Sequence, residues 1–250
     1  MHKARFSAQE FQILWSAYGR DRLPYPLRFR PATSDFYELK QDRERAVESL
    51  LAKYDPSIER ALDTLVNPAA RIESKGFAGH DNSRIIRFYG AIRDTVGATL
   101  DQEPGPSGDN GGAVVLSYGT ADEVADSAVA TLPAREPGTR APIEVRRERI
   151  AAEDEYFEFR VGALSAVDQL DLMFGRPRSA YGEIAAYAGG ALDARPSASV
   201  RTFWWMDYPD GRYYVRTGDP IIAEPLDSAR MTAGIRAMLH RAQRQHSNLD

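Results

Sequence analysis

The sequence predicts an α+β protein in which one order of elements occurs twice. The hydrophobic period is helical from residue 7 to residue 66, then changes to strand-length segments separated by glycine-bearing turns. Those strands follow one another without intervening helices, which favours an antiparallel sheet with segregated helices over alternating βαβ units. Helices, about four strands and a closing helix fill residues 1–132, and the same order returns in 133–250. No residue-level identity links the halves, so the repeat is architectural, and the two are expected to form one compact domain.

The first helix is specified locally. Ser7 and Glu10 have capping-box spacing, and Phe6 and Phe11 occupy the hydrophobic staple positions around them. Phe11, Leu14, Trp15 and Tyr18 then form one apolar stripe, which Gly19 ends. Pro24, Pro26 and Pro31 hold Leu23–Pro31 extended, because proline and the residue before it resist the α region. Phe36, Leu39, Val47, Leu50, Leu51 and Tyr54 fit a second helix over Asp35–Tyr54. Asp55-Pro56 reads as N-cap and first helical position of a third, carrying Ile58, Leu62, Leu65 and Val66 as far as Asn67-Pro68.

Strands follow at Ala70–Phe77, Arg84–Ile92, Val96–Glu103 and Ala113–Tyr118. Gly105–Gly112, GPSGDNGG, is expected to be a mobile loop. Thr120 and Glu123 form a second capping box, opening a helix to about Leu132. Pro133–Pro142 is the candidate linker. The second half predicts a helical stretch over Arg146–Phe174, broken near Gly162. Strands come next at Tyr181–Ala188, Ser199–Asp207, Arg212–Thr217 and Pro220–Glu224. A last helix runs from Asp227 to about Arg244, burying Met231, Ile235, Met238 and Leu239.

Ser199–Thr217 carries the most information. Asp210-Gly211 between aromatic strands signals a type I′ hairpin, which pairs Tyr208 with Tyr213, Met206 with Val215 and Trp204 with Thr217, a plausible core face. The other face carries Arg201, Phe203, Trp205, Asp207, Tyr214 and Arg216. Three large aromatics beside two arginines and an aspartate suit a protein-binding surface. They also suit a face that a helix covers, with the arginines snorkelling to its rim.

Composition removes several function classes. There is no cysteine, hence no disulfide, thiolate nucleophile or thiolate metal site. A net charge of −4 is a poor footprint for nucleic-acid binding. No apolar run reaches membrane-span length, and the polar start does not read as a signal peptide, so a cytoplasmic protein is expected. The glycine loop lacks the Lys-Ser/Thr of a phosphate cradle. His80-Asp81 reads as a turn rather than a metal site, and Asp207 with Asp210 is an imaginable acid pair for glycoside chemistry, although the turn already explains Asp210. No metal or cofactor is expected.

The Phe11–Tyr18 helix followed by LPYPLRF, and FWWMDYPDGRYYV before a terminal amphipathic helix, resemble the EspG family of actinobacterial type VII secretion chaperones. RIESKGF, SRIIRFYGAI and GAVVLSY fall where that family places its first strands. The resemblance spans essentially the whole chain and rests on the ordered combination, since no single motif is diagnostic. It implies a pseudo-twofold fold with a central antiparallel sheet flanked by helical bundles. It also implies a cytoplasmic chaperone that binds the PPE subunit of a PE–PPE heterodimer, keeps it soluble and delivers it to its secretion system. The matching partner surface would be the mixed face of Arg201, Phe203, Trp205, Asp207, Tyr214 and Arg216, with the exposed side of the last helix. The chain itself is then a monomer or weak homodimer with no catalytic residues, no nucleic-acid partner and no membrane insertion. The alternative from another class is a hydrolase using Asp207 or Asp210 with a loop histidine.

Overall fold

The computed structural model describes residues 1–150, 164–191 and 198–248. The first half consists of β1 (His2–Phe6), α1 (Ala8–Ala17), α2 (Phe36–Lys53), α3 (Pro56–Val66), β2 (Ala70–Ala78), β3 (Arg84–Arg93), β4 (Val96–Gln102), β5 (Val114–Thr120) and α4 (Asp122–Ala130). The second consists of β6 (Ile143–Val145), α5 (Ala166–Phe174), β7 (Ala180–Ala188), β8 (Arg201–Tyr208), β9 (Gly211–Arg216), β10 (Ile221–Pro225) and α6 (Ser228–Ser247).

The strands form one antiparallel sheet in the order β1-β5-β4-β3-β2-β7-β8-β9-β10-β6. Replacing each strand by the one five places later in the chain reverses that order, so a pseudo-twofold axis passes between β2 and β7. These two strands pair from Ala70 opposite Ala188 to Ala78 opposite Ala180. Hairpin-linked strands place neighbours in sequence beside one another, and the β2–β7 pairing joins the halves into a continuous surface.

Local signals set most helix ends. The Ser7 hydroxyl accepts from the Glu10 amide at 3.1 Å, and the Glu10 carboxylate accepts from the Ser7 amide at 2.7 Å. Gly19 takes a φ of 74° just past α1, the left-handed region open to glycine. Asp35, Asp55 and Asp227 cap α2, α3 and α6. The second capping box forms only in part. Glu123 accepts from the Thr120 amide and hydroxyl, while Ala121 stands at the N-cap without a side-chain bond.

Two strands escape the sequence reading. In β1 the charged side chains point outward at a sheet edge, and β6 is three residues long, too short to display a period. The glycine loop is also not free. The Asn110 amide donates to the Arg30 carbonyl and its oxygen accepts from the Arg30 amide, both at 3.0 Å. Gln102 brackets the Arg28 backbone in the same way. Missing side chains permit close packing as well as freedom: a Cβ on Gly105 would stand 2.0 Å from the Asn110 carbonyl oxygen. Of the helical stretch expected over Arg146–Phe174, residues 147–150 and Ala166–Phe174 are helical, and the expected break near Gly162 lies outside the described residues.

Helices α4 and α6 cover one face, where Ile72, Phe88, Val124, Ile184, Trp205, Ile235 and Leu239 share a core. On the other face, α1–α3 seal the first half around Phe11, Trp15, Leu62, Tyr89 and Leu116. There α5 sends Met173 against Met206, Tyr208, Tyr213 and Val215. Between these two layers the middle of the sheet stays accessible.

Candidate functional site

The hairpin turn differs from the expected one. Pro209 and Asp210 are its central residues, neither has a positive φ, and Gly211 pairs with Tyr208. Proline at the first central position and glycine closing the turn match type I preferences, and these override the Asp-Gly signal for type I′. The resulting pairs are Asp207 with Arg212, Trp205 with Tyr214 and Trp204 with Val215. Relative to the expected register the second strand slips by two residues. An even slip leaves Phe203, Trp205, Asp207, Tyr214 and Arg216 on a common face. It also brings Arg212 onto that face, opposite Asp207.

Half of that face is core, which removes Trp205 and Asp207 from the expected partner surface, while Arg201 is exposed and Tyr214 and Arg216 are half-buried. Trp205 is fully buried beneath α6, and Asp207 and Arg212 are each 1% exposed. Their charges cancel in a two-pronged contact, Nε to Oδ1 at 2.7 Å and Nη2 to Oδ2 at 2.8 Å. Arg212 also donates to the Pro133 carbonyl. The indole of Trp205 rests on a glycine pair: Gly76 stands opposite Gly182, and a Cβ on Gly76 would lie 2.6 Å from the Trp205 ring. Neither Trp205 nor Asp207 is available to a partner. Arg201, Phe203, Tyr214 and Arg216 instead line a groove of about 560 Å³ beside α6.

The imagined acid pair is likewise committed elsewhere. Asp207 is held by Arg212. Asp210 accepts from Arg176 at 2.6 Å and from the Tyr213 hydroxyl. Burial opposes its ionisation, yet Tyr213 and Arg176 keep the Asp210 carboxyl below the usual range.

The accessible surface lies on the opposite face, where β2, β7 and β8 cross the middle of the sheet. One register row places Phe77 beside Tyr181, their rings 5.4 Å apart. The next places Lys75, Glu183 and Trp204 side by side. Tyr187 lies further along, under the guanidinium of Arg71 at 4.4 Å. Phe77, Tyr181, Tyr187 and Trp204 are each half-buried. Exposed Tyr25 belongs to the first-half margin, and exposed Leu164 and Leu172 to the α5 side. Burial pushes the Glu183 carboxyl up, and it does the same to Glu73 despite the Arg71 guanidinium at 2.9 Å. Aromatic rings beside incompletely hydrated charges suit a surface that a protein partner completes.

Sequence reasoning missed Phe77, Tyr181, Tyr187 and Trp204 as a group. Their signal was alternation: Arg71, Glu73, Lys75 and Phe77 interleave with Ile72, Ser74 and Gly76, as Tyr181, Glu183 and Tyr187 do with Gly182, Ile184 and Ala186. Alternation identifies a wet face. It does not say which strands become neighbours.

Among the described residues, no helix is long and apolar enough to cross a membrane. No curated protein matches the chain. Among solved structures, the Mycobacterium tuberculosis type VII secretion system chaperone EspG5, determined in complex with a PE25–PPE41 dimer, superposes with a TM-score of 0.59. The match covers 95% of this chain and 96% of that one at 12% identity, a likeness of fold. A family model described as EspG matches residues 7–237. By that match over most of its length, the chain belongs to the EspG family.

Proposed function

We propose that this protein is a type VII secretion chaperone that binds the PPE subunit of a PE–PPE heterodimer in the cytoplasm. It keeps the heterodimer in solution and escorts it to its secretion system, acting by stoichiometric binding rather than turnover. The observation that carries this reading is the half-buried strip of Phe77, Tyr181, Tyr187 and Trp204 between two helical layers, of which Tyr181 and Trp204 also touch the edge of the α5 cluster. Half-buried aromatics on a rigid sheet lose little conformational freedom on binding and supply hot-spot anchors. Family membership and the fold shared with EspG5 support the same reading.

Coexpression with the PE–PPE pair, followed by size-exclusion chromatography, tests it. The expected result is one stoichiometric complex that survives elevated salt, because an aromatic interface is weakly screened. Tyr181→Ala should weaken that complex without unfolding the chain. Failure of any PE–PPE pair to coelute overturns the proposal, and a complex indifferent to Tyr181→Ala moves the interface off this face.

A further inference from the structure

The groove beside α6 has a chemistry of its own. Its walls carry Arg201 and Arg216 from the sheet and Arg230, Arg241 and Arg244 from the helix. Against these five cations stand Glu144 and Glu224, and Glu224 is already engaged by Arg230 at 3.2 Å. Among the described residues Arg201, Arg216, Arg241 and Arg244 have no carboxylate partner, and the buried Nε of Arg216 has no hydrogen-bond acceptor. This local positive excess stands in a chain of net charge −4. The floor is apolar: Phe203 and Tyr214 stack at 5.1 Å, and Met231 and Met238 close it from the helix. Beside those methionines, Arg230, Gly234, Ala237, Arg241 and Arg244 form a single helical stripe along the groove, whose small middle members leave room beside the floor.

We infer that this groove is a second docking surface, taking an extended acidic segment of a partner protein with an apolar side chain seated on Phe203 and Tyr214. Length and charge distribution select that occupant. From Arg230 to Arg244 the helix rises about 21 Å, roughly six residues of extended chain, so its cations are strung along a line rather than gathered around one anion. Arginine forks on both walls match carboxylates spaced along such a segment. The groove and the open strip lie on opposite faces of the sheet, so cargo and a second partner can be held together.

Fluorescence anisotropy on the full chain tests the inference. The probe is a fluorescein-labelled synthetic peptide alternating glutamate with leucine and phenylalanine, and its control carries glutamine at every glutamate. The expected result is binding of the acidic peptide, with the glutamine control about tenfold weaker. Arg201→Gln combined with Arg241→Gln, both exposed positions, should weaken the acidic peptide by about the same factor at an unchanged melting temperature. Equal affinity for the two peptides, or no effect of the double substitution, overturns the assignment. Displacement of the peptide by a single-stranded oligonucleotide or by phosphatidylglycerol vesicles also overturns it, in favour of a phosphate-bearing occupant. The preformed complex with a PE–PPE pair should bind the peptide as the free chain does. Loss of peptide binding there would assign the groove to the cargo interface and remove the second surface, while leaving the cargo reading intact.

Discussion

Trp204 and Trp205 are consecutive in β8, yet one is half-buried at an accessible surface and the other is fully buried. The strand period sends them to opposite faces. What differs is the cover. On the covered face, where residues 133–138 lie against Arg212, the surroundings are dry enough that Asp207 must be met by Arg212 on the neighbouring strand. On the other face, α1–α3 and α5 cover the middle of the sheet only in part, Tyr181 and Trp204 packing at the edge of the α5 cluster, and its charges keep partial access to water. Similar aromatic and charged residues therefore build a core on one side and a candidate interface on the other.

The sharpest way to break this comparison is to truncate each tryptophan. Trp205→Ala should cost about 3–5 kcal/mol, since it opens a cavity over the Gly76–Gly182 pair. Trp204→Ala should leave a folded chain that loses about 2 kcal/mol of PE–PPE binding. Thermal melts and titration of both variants check this, and reversed outcomes would invert the assignment of the faces.

Asp207→Ala tests whether the covered face is dry. Stranding the Arg212 guanidinium in the interior should cost about 3–5 kcal/mol, and adding Arg212→Leu should recover most of the loss. Denaturant titration separates the two variants. A single variant as stable as the parent would mean that water reaches this face.

The turn tests the hairpin register more gently. Gly211 has a φ of 131°, and a Cβ there would lie 2.5 Å from the Pro137 carbonyl oxygen. Gly211→Val should cost about 1–3 kcal/mol from backbone strain, with the clash added. Gly108→Val should cost less, because its Cβ would meet only the tip of Ile85 at 3.3 Å. Melting temperatures rank the pair, and equal values would contradict the observed register.

The smallest effect concerns the open face alone. Burial raises the Glu183 carboxyl above its unfolded value, so its contribution favours folding below the unfolded value and is lost as pH rises through the folded one. Glu183→Gln should therefore raise the melting temperature modestly near pH 7 and leave it unchanged below about pH 4. A variant less stable at neutral pH would mean that the ionised carboxylate is held by an interaction of its own.

Sequence by itself determined the elements whose signals are local. Ser7 with Glu10, Asp55 before Pro56, and Asp227 ahead of the Met231–Leu239 stripe each act within a few residues, so the starts of those three helices were legible to within a turn. Strand alternation set the membership of each hairpin face even with the turn misread, because the register slipped by an even number. Tertiary structure decided everything that depends on elements distant in the chain. Only the β2–β7 pairing brings Phe77 beside Tyr181, more than a hundred residues later, and only the docking of α6 makes Trp205 core and leaves Arg216 at a groove. Whether an amphipathic face is covered is set by surface that another segment must bury, and the face's own residues do not encode where that segment packs.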